Sequence, residues 1–243
     1  MIFNLGSRVV NNYLISSKAG YILIDTGYAG GFSHFMKMLK KYHIKPDEIR
    51  YVFLTHAHDD HAGFLNEVLA VTNAKVILHP KAVEGLKCGQ NSFEGGCSSF
   101  PAWLFCQVLA LLGHRDHRYP AIKPEYLDRL IPIDSEQFKA IHFPYQILKT
   151  PGHTADHISL LMGDKLFGGD AAMNGFPSIK HITIWIEDLQ EYLRSWKAII
   201  QQNPHMIFPA HGKPFKTDQL QKNMKALRRV KLYSLKPYSG KVR

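Results

Sequence analysis

Residues 51 to 61 read Tyr51-Val52-Phe53-Leu54-Thr55-His56-Ala57-His58-Asp59-Asp60-His61, followed at once by Ala62-Gly63. The first four residues are apolar or aromatic and predict a short buried strand. At its carboxyl end, four side chains able to bind a metal or carry a proton fall within six positions. Ligands that leave a strand at a turn can converge on one point, which a straight strand or helix does not permit. Three imidazoles with a carboxylate suit Zn(II), and the same set accommodates Fe or Mn. The plain alternative is a polar loop of solvent-facing histidines, and the rest of the chain tests it by supplying further ligands or not.

Three later strand ends each supply one. They are Thr150-Pro151-Gly152-His153-Thr154, Phe167-Gly168-Gly169-Asp170 and Pro209-Ala210-His211-Gly212. In each, Gly or Pro adjoins the metal-binding residue, as expected where backbone turns tightly. A fourth strand end, Asp25-Thr26-Gly27, carries a carboxylate.

In this order the five motifs resemble the metallo-β-lactamase superfamily, over roughly residues 9 to 213. The resemblance implies an α/β fold, an αβ/βα sandwich of two mixed β-sheets flanked by helices, with metals at one edge of the sheets. It further implies that His56, His58 and His153 hold one divalent ion while Asp60, His61 and His211 hold a second. Asp170 would bridge them, and Asp25 would orient a ligand without binding metal itself. Two Zn(II) ions are the expected cofactors, with Fe or Mn as substitutes. Seven protein ligands over two ions leave open positions, as a catalytic site requires. Ions roughly 3.5–4 Å apart can share a hydroxide and acidify it. That hydroxide would attack a small ester, thioester or lactone, and Asp60 would pass on the proton as a catalytic residue.

The superfamily's fold does not choose among its substrates. Thr150–Thr154 and Pro209–Gly212 resemble its glyoxalase II and lactonase side. Asp170 stands where the best-known zinc lactamases carry Cys, which argues against antibiotic hydrolysis. Met173 stands where quorum-quenching lactonases carry Tyr, and only 32 residues follow His211, too few for a glutathione-gripping helical domain. Two alternatives stay open: a phosphodiesterase or ribonuclease of the same superfamily, and a persulfide dioxygenase with one iron and part of the ligand set.

The composition, 45% apolar and 21% charged, is that of a soluble globular protein. Residues 1–8 lack a basic segment followed by a long apolar run, so no signal peptide is expected. No apolar stretch is long enough to span a membrane; Phe100–Leu112 is the longest and is interrupted by Gln107. Cys88, Cys97 and Cys106 fit no CxxC pattern and read as reduced thiols of a cytoplasmic protein. Of the net charge of +10, nearly all lies in residues 213–243, with ten Lys or Arg against Asp218 alone. Such a cluster attracts phosphates, yet Leu220, Met224 and Leu227 fit a packed helix with a solvated basic face. A small-molecule substrate is therefore expected in preference to nucleic acid.

Along the chain, 1–243 reads as a single domain with an insertion at about 87–144 and a basic helix at about 218–232, capped by Asp218. Hairpin strands are expected over Val9–Ser16 and Tyr21–Asp25, then a helix over Gly31–Tyr42, one over Gly63–Val71 and a strand over Lys75–His79. Within the insertion, Phe100–Leu112 reads as an apolar helix, packed on the body or serving as a lid or homodimer contact. Strands over Gln146–Lys149, His157–Met162, Lys165–Phe167 and Met206–Pro209 and a helix over Glu187–Gln201 complete the pattern. His157 is read as supporting the site and not as a ligand; His79, His114, His117 and His181 as surface or loop histidines.

Overall fold

The computed structural model describes residues 1–90, 94–113 and 117–235. The first stretch runs through β1 (Ile2–Asn4), β2 (Tyr13–Ser17), β3 (Gly20–Ile24), α1 (Phe32–Lys41), β4 (Ile49–Phe53), α2 (Asp59–Ala62), α3 (Leu65–Val71), β5 (Lys75–Leu78) and α4 (Ala82–Cys88). Next come β6 (Gly96–Cys97), α5 (Phe100–Leu111), β7 (Leu130–Pro132), α6 (Glu136–Ala140), β8 (Gln146–Lys149), β9 (Ile158–Met162) and β10 (Lys165–Gly169). The last are β11 (Trp185–Ile186), α7 (Leu189–Gln202), β12 (Met206–Pro209), β13 (Phe215–Lys216) and α8 (Asp218–Leu227). None of the described helices is long and apolar enough to cross a membrane.

The chain divides into two compact units. The first, residues 1–91 and 118–144, holds a six-stranded mixed sheet in the order β1-β2-β3-β4-β5-β7. Strands β3, β4 and β5 are parallel and central. Their apolar runs, such as Ile22-Leu23-Ile24 and Val76-Ile77-Leu78, are almost wholly buried, as central parallel strands require. Each such Ile or Leu contributes roughly 1.5–3 kcal/mol by leaving water, enough to hold the register. Phe35 and Leu39 of α1 are buried in the same core. Because β3 and β4 are parallel with Ile24 opposite Phe53, Asp25 and Leu54 leave the sheet side by side.

The second unit, residues 92–117 and 145–243, holds a five-stranded mixed sheet, β13-β12-β10-β9-β8, and a small ladder of β6 with β11. Strands β10 and β12 are parallel, with Gly169 opposite Pro209, so Asp170 and His211 emerge at the same edge. The β8–β9 hairpin, with Lys149 opposite Ile158, turns at that edge too and carries His153 in its loop. The core of this unit includes Tyr192, Trp196 and Ile199 of α7 with Leu220 and Leu227 of α8.

Several expectations from the sequence are revised. The chain start forms β1, antiparallel to β2, and Val9, expected to begin a strand, is 61% exposed in the loop before β2. The helix expected over 63–71 is α3, which starts at Leu65, and a separate short helix, α2, precedes it over Asp59–Ala62. The two are parted at Gly63 and Phe64, the latter with a φ of −118° and a ψ of 30° that leave the helical region. The metal-binding cluster thus runs into α2. The last helix ends at Leu227, not 232: Leu227 is its last buried residue, and the chain beyond extends so that Tyr233 pairs with Cys97. Thr217 occupies the cap position of this helix, and Asp218 instead pairs with Lys222 at 2.7 Å. The stretch expected as an insertion also contributes β7, parallel to β5. His79 is buried, and its Nδ1 accepts from the Lys81 N–H. The reading of His114 as a surface residue, and the basic residues Lys236, Lys241 and Arg243, lie outside the described residues.

Candidate metal centre

The first unit gathers His56, His58, Asp60 and His61 with Asp25. Thr55 and Asp25 form the hinge of this group. The Asp25 carboxylate accepts from the Thr55 N–H at 2.7 Å and the Thr55 hydroxyl at 2.8 Å. It also accepts from His61 Nδ1 at 2.8 Å, which turns the other ring nitrogen, Nε2, towards Asp60 Oδ1 at 3.6 Å. Asp25 is buried and has φ +57°, a left-handed conformation that Asp tolerates better than most residues. The turn that follows is bound to α2, since Thr26 donates to the His61 carbonyl from both its N–H (2.7 Å) and its hydroxyl (2.9 Å). His56 Nε2 and His58 Nδ1 face each other at 3.0 Å, both side chains buried.

The second unit gathers His153, Asp170 and His211. His153 Nδ1 donates to the Trp185 carbonyl at 2.8 Å, which directs Nε2 to within 3.6 Å of Asp170 Oδ2. Asp170 Oδ1 lies 3.6 Å from His211 Nε2. One carboxylate thus addresses two different histidines through its two oxygens. His157 is not among these donors. Its Nε2 accepts the Asp170 N–H at 3.0 Å while Nδ1 meets the Thr150 hydroxyl at 2.8 Å, so it holds the backbone from which Asp170 projects. Trp196 Nε1 donates to the Ala171 carbonyl at 2.7 Å and braces the next residue.

These residues fit a metal. Two ligand atoms about 2.1 Å from one tetrahedral ion lie about 3.4 Å apart, near the 3.6 Å separations found here and longer than a hydrogen bond. In His61 and His153 the Nδ1 is committed to an oxygen acceptor, which sets the tautomer that leaves an Nε2 lone pair for an ion. Among the described residues, His and Asp side chains form clusters able to hold a metal ion.

Residues 5–211 match the family model described as the Metallo-beta-lactamase superfamily. The chain belongs to this superfamily, which is hydrolytic. A metallo-beta-lactamase fold-containing protein of the archaeon Sulfurisphaera tokodaii is 27% identical over 84% of this chain and 73% of its own. An atrochrysone carboxyl ACP thioesterase of Aspergillus fumigatus is 24% identical over 83% of this chain and 50% of its own. The chain spans 50–58% of the length of several other curated relatives it matches. Among solved structures, a Cronobacter sakazakii metallo-beta-lactamase variant aligns with a TM-score of 0.65 and 17% identity, covering 93% of this chain and 90% of that one. The metallo-β-lactamase fold expected from the five motifs is therefore present, built on two mixed sheets with flanking helices.

Sequence reading alone passed over Thr55, Trp185 and Trp196. Thr55 and Trp196 act through hydrogen bonds to residues far away in the chain, and Trp185 through its backbone carbonyl, so no local spacing announces them. His181 stacks on Phe215 and pairs with Gln219 Oε1 at 2.6 Å, a packing role. The three cysteines are free thiols.

Proposed function

We propose that this chain is a binuclear metal-dependent hydrolase acting on a small ester, thioester or lactone. In this reading His56, His58 and His153 hold one divalent ion, Asp60, His61 and His211 hold the other, and Asp170 bridges them. The observation that carries it is the division of the Asp170 carboxylate, one oxygen towards His153 and the other towards His211, each at 3.6 Å. A carboxylate serving a single ion would not need to address two histidines in this way.

Bound divalent ions, Zn(II) by preference, would supply an activated water and polarise the substrate's carbonyl. The chain's own part is positional and protonic. Asp25 fixes His61 and the Trp185 carbonyl fixes His153, each with its Nε2 presented as a donor. His157 fixes Asp170 by its backbone. The Asp60 carboxylate is partly exposed, with 13% of its side-chain surface open. It takes the proton released as the water oxygen bonds to the carbonyl carbon, and returns it to the alkoxide or thiolate as the carbon–oxygen or carbon–sulfur bond breaks. The superfamily membership and the thioesterase among the relatives support the hydrolytic class.

The test is metal analysis of the purified chain coupled to a panel of thioesters, lactones, phosphodiesters and β-lactams. Two ions per chain with turnover of thioesters or lactones are expected. One iron per chain with oxygen consumption on a persulfide would overturn the reading, as would turnover confined to phosphodiesters.

A further inference from the structure

Among the described residues, five of the exposed large apolar side chains fall within one helix and its end. Phe100, Leu104, Val108, Leu111 and Leu112 of α5 and its end are 46–83% exposed. Positions 100, 104, 108 and 111 lie on one face of a helix of 3.6 residues per turn. The opposite face, Ala102, Trp103 and Cys106, packs against Cys97 and Trp185. Two further exposed aromatics adjoin the row: Phe176, 87% exposed, meets Phe105 edge-on, and Tyr233 meets Phe100. In α5 itself Gln107 is the sole polar residue. A helix with no polar stripe is not finished by water, and an apolar patch of this extent marks a binding surface.

Charge decides what covers it. The segments that supply the row and its contacts, within residues 96–113, 171–186 and 228–235, contain no Asp or Glu, though Glu94 and Glu187 flank them. They do contain Lys180, Arg228, Arg229 and Lys231, all exposed. Lys231 stands two residues before Tyr233, which bridges to Cys97 at the foot of α5. Trp103 Nε1 donates to the Ser234 carbonyl at 3.3 Å and fastens this cationic segment to α5. A two-fold contact with a second copy would bring this all-cationic rim close to its own image. An apolar face with aromatic ends and an edge of cations complements an anionic lipid surface instead. At about 1.5 Å per residue the 12-residue helix measures about 18 Å, well short of a hydrocarbon core of about 30 Å, so it would lie in the interface.

We propose that α5, with Phe176, Tyr233 and the cations Arg228, Arg229 and Lys231, is a docking face for an anionic lipid bilayer. This attachment is independent of the hydrolase reading.

The experiment is co-sedimentation of the full, metal-loaded chain with phosphatidylcholine vesicles and with vesicles containing 30% phosphatidylserine. Binding to the anionic vesicles should exceed binding to the neutral ones at least tenfold and should fall in high salt. Leu104→Glu with Leu111→Glu should abolish it while leaving the melting temperature within a few degrees, since both side chains already face water. Arg228→Gln, Arg229→Gln and Lys231→Gln together should lower it at least tenfold. Equal binding to both vesicle types, or none, overturns the proposal. So does a dimer by light scattering that Leu104→Glu dissolves in a chain that ignores vesicles, or binding to polyglutamate without binding to vesicles.

Discussion

Replacing Asp25 by Asn isolates what the buried carboxylate does for His61. The Thr55 N–H, 2.7 Å from Oδ1, holds the amide oxygen of Asn in that position, because a backbone donor cannot turn away. The amide NH2 then occupies the place of Oδ2, 2.8 Å from His61 Nδ1. Two donors cannot share that contact, so the His61 proton moves to Nε2, the nitrogen that the proposed ion needs bare. Asn also tolerates the φ of +57° found at this position, so the backbone stays in place. Losing such an orienting partner weakens metal binding about 10- to 100-fold, or about 1.4 to 2.7 kcal/mol. The assay is competition between the metal-free variant and a chromogenic chelator for Zn(II), with a thermal melt to confirm folding. A folded Asn variant that binds both ions within about threefold of the parent chain would refute the tautomer argument.

Three further outcomes follow from the same geometry. Asp170→Ala should lose bound metal and turnover together; elemental analysis returning two ions per chain with full activity would sink the bridging role. His157→Phe removes the acceptor of the Asp170 N–H and should lower stability in urea by about 1–3 kcal/mol, whereas an unchanged midpoint would show that this bond contributes nothing. Gly152→Ala should cost about 3 kcal/mol or more, because Gly152 has φ +122° and a Cβ there would lie 2.2 Å from the Tyr192 nitrogen. Gly163→Ala is its control: with φ +59° and nothing within 4 Å it should cost only about 1–2 kcal/mol, and equal losses in the two melts would refute the packing argument.

The family and most of the longer helices and strands were legible in the residue pattern, which also named the side chains proposed here to hold metal. Donor chemistry lies in residue types, and the tight turns that aim donors require Gly or Pro beside them, as at Gly152-His153, Gly169-Asp170 and His211-Gly212. Short elements escaped notice for a physical reason. Strands β1 and β7 have three residues each, too few for a periodic pattern, and exist because a neighbouring strand offers them partners.

Tertiary structure alone decided how those donors are aimed. Nothing local in His61 says that Asp25, 36 residues earlier, accepts a hydrogen bond from its Nδ1, and nothing in Asp170 says that its two oxygens point at different histidines. It also decided which face of α5 stays in water. A helix apolar on all sides carries no stripe from which to read its orientation, and only the packing of Ala102, Trp103 and Cys106 against Cys97 and Trp185 turns Phe100, Leu104, Val108 and Leu111 outward.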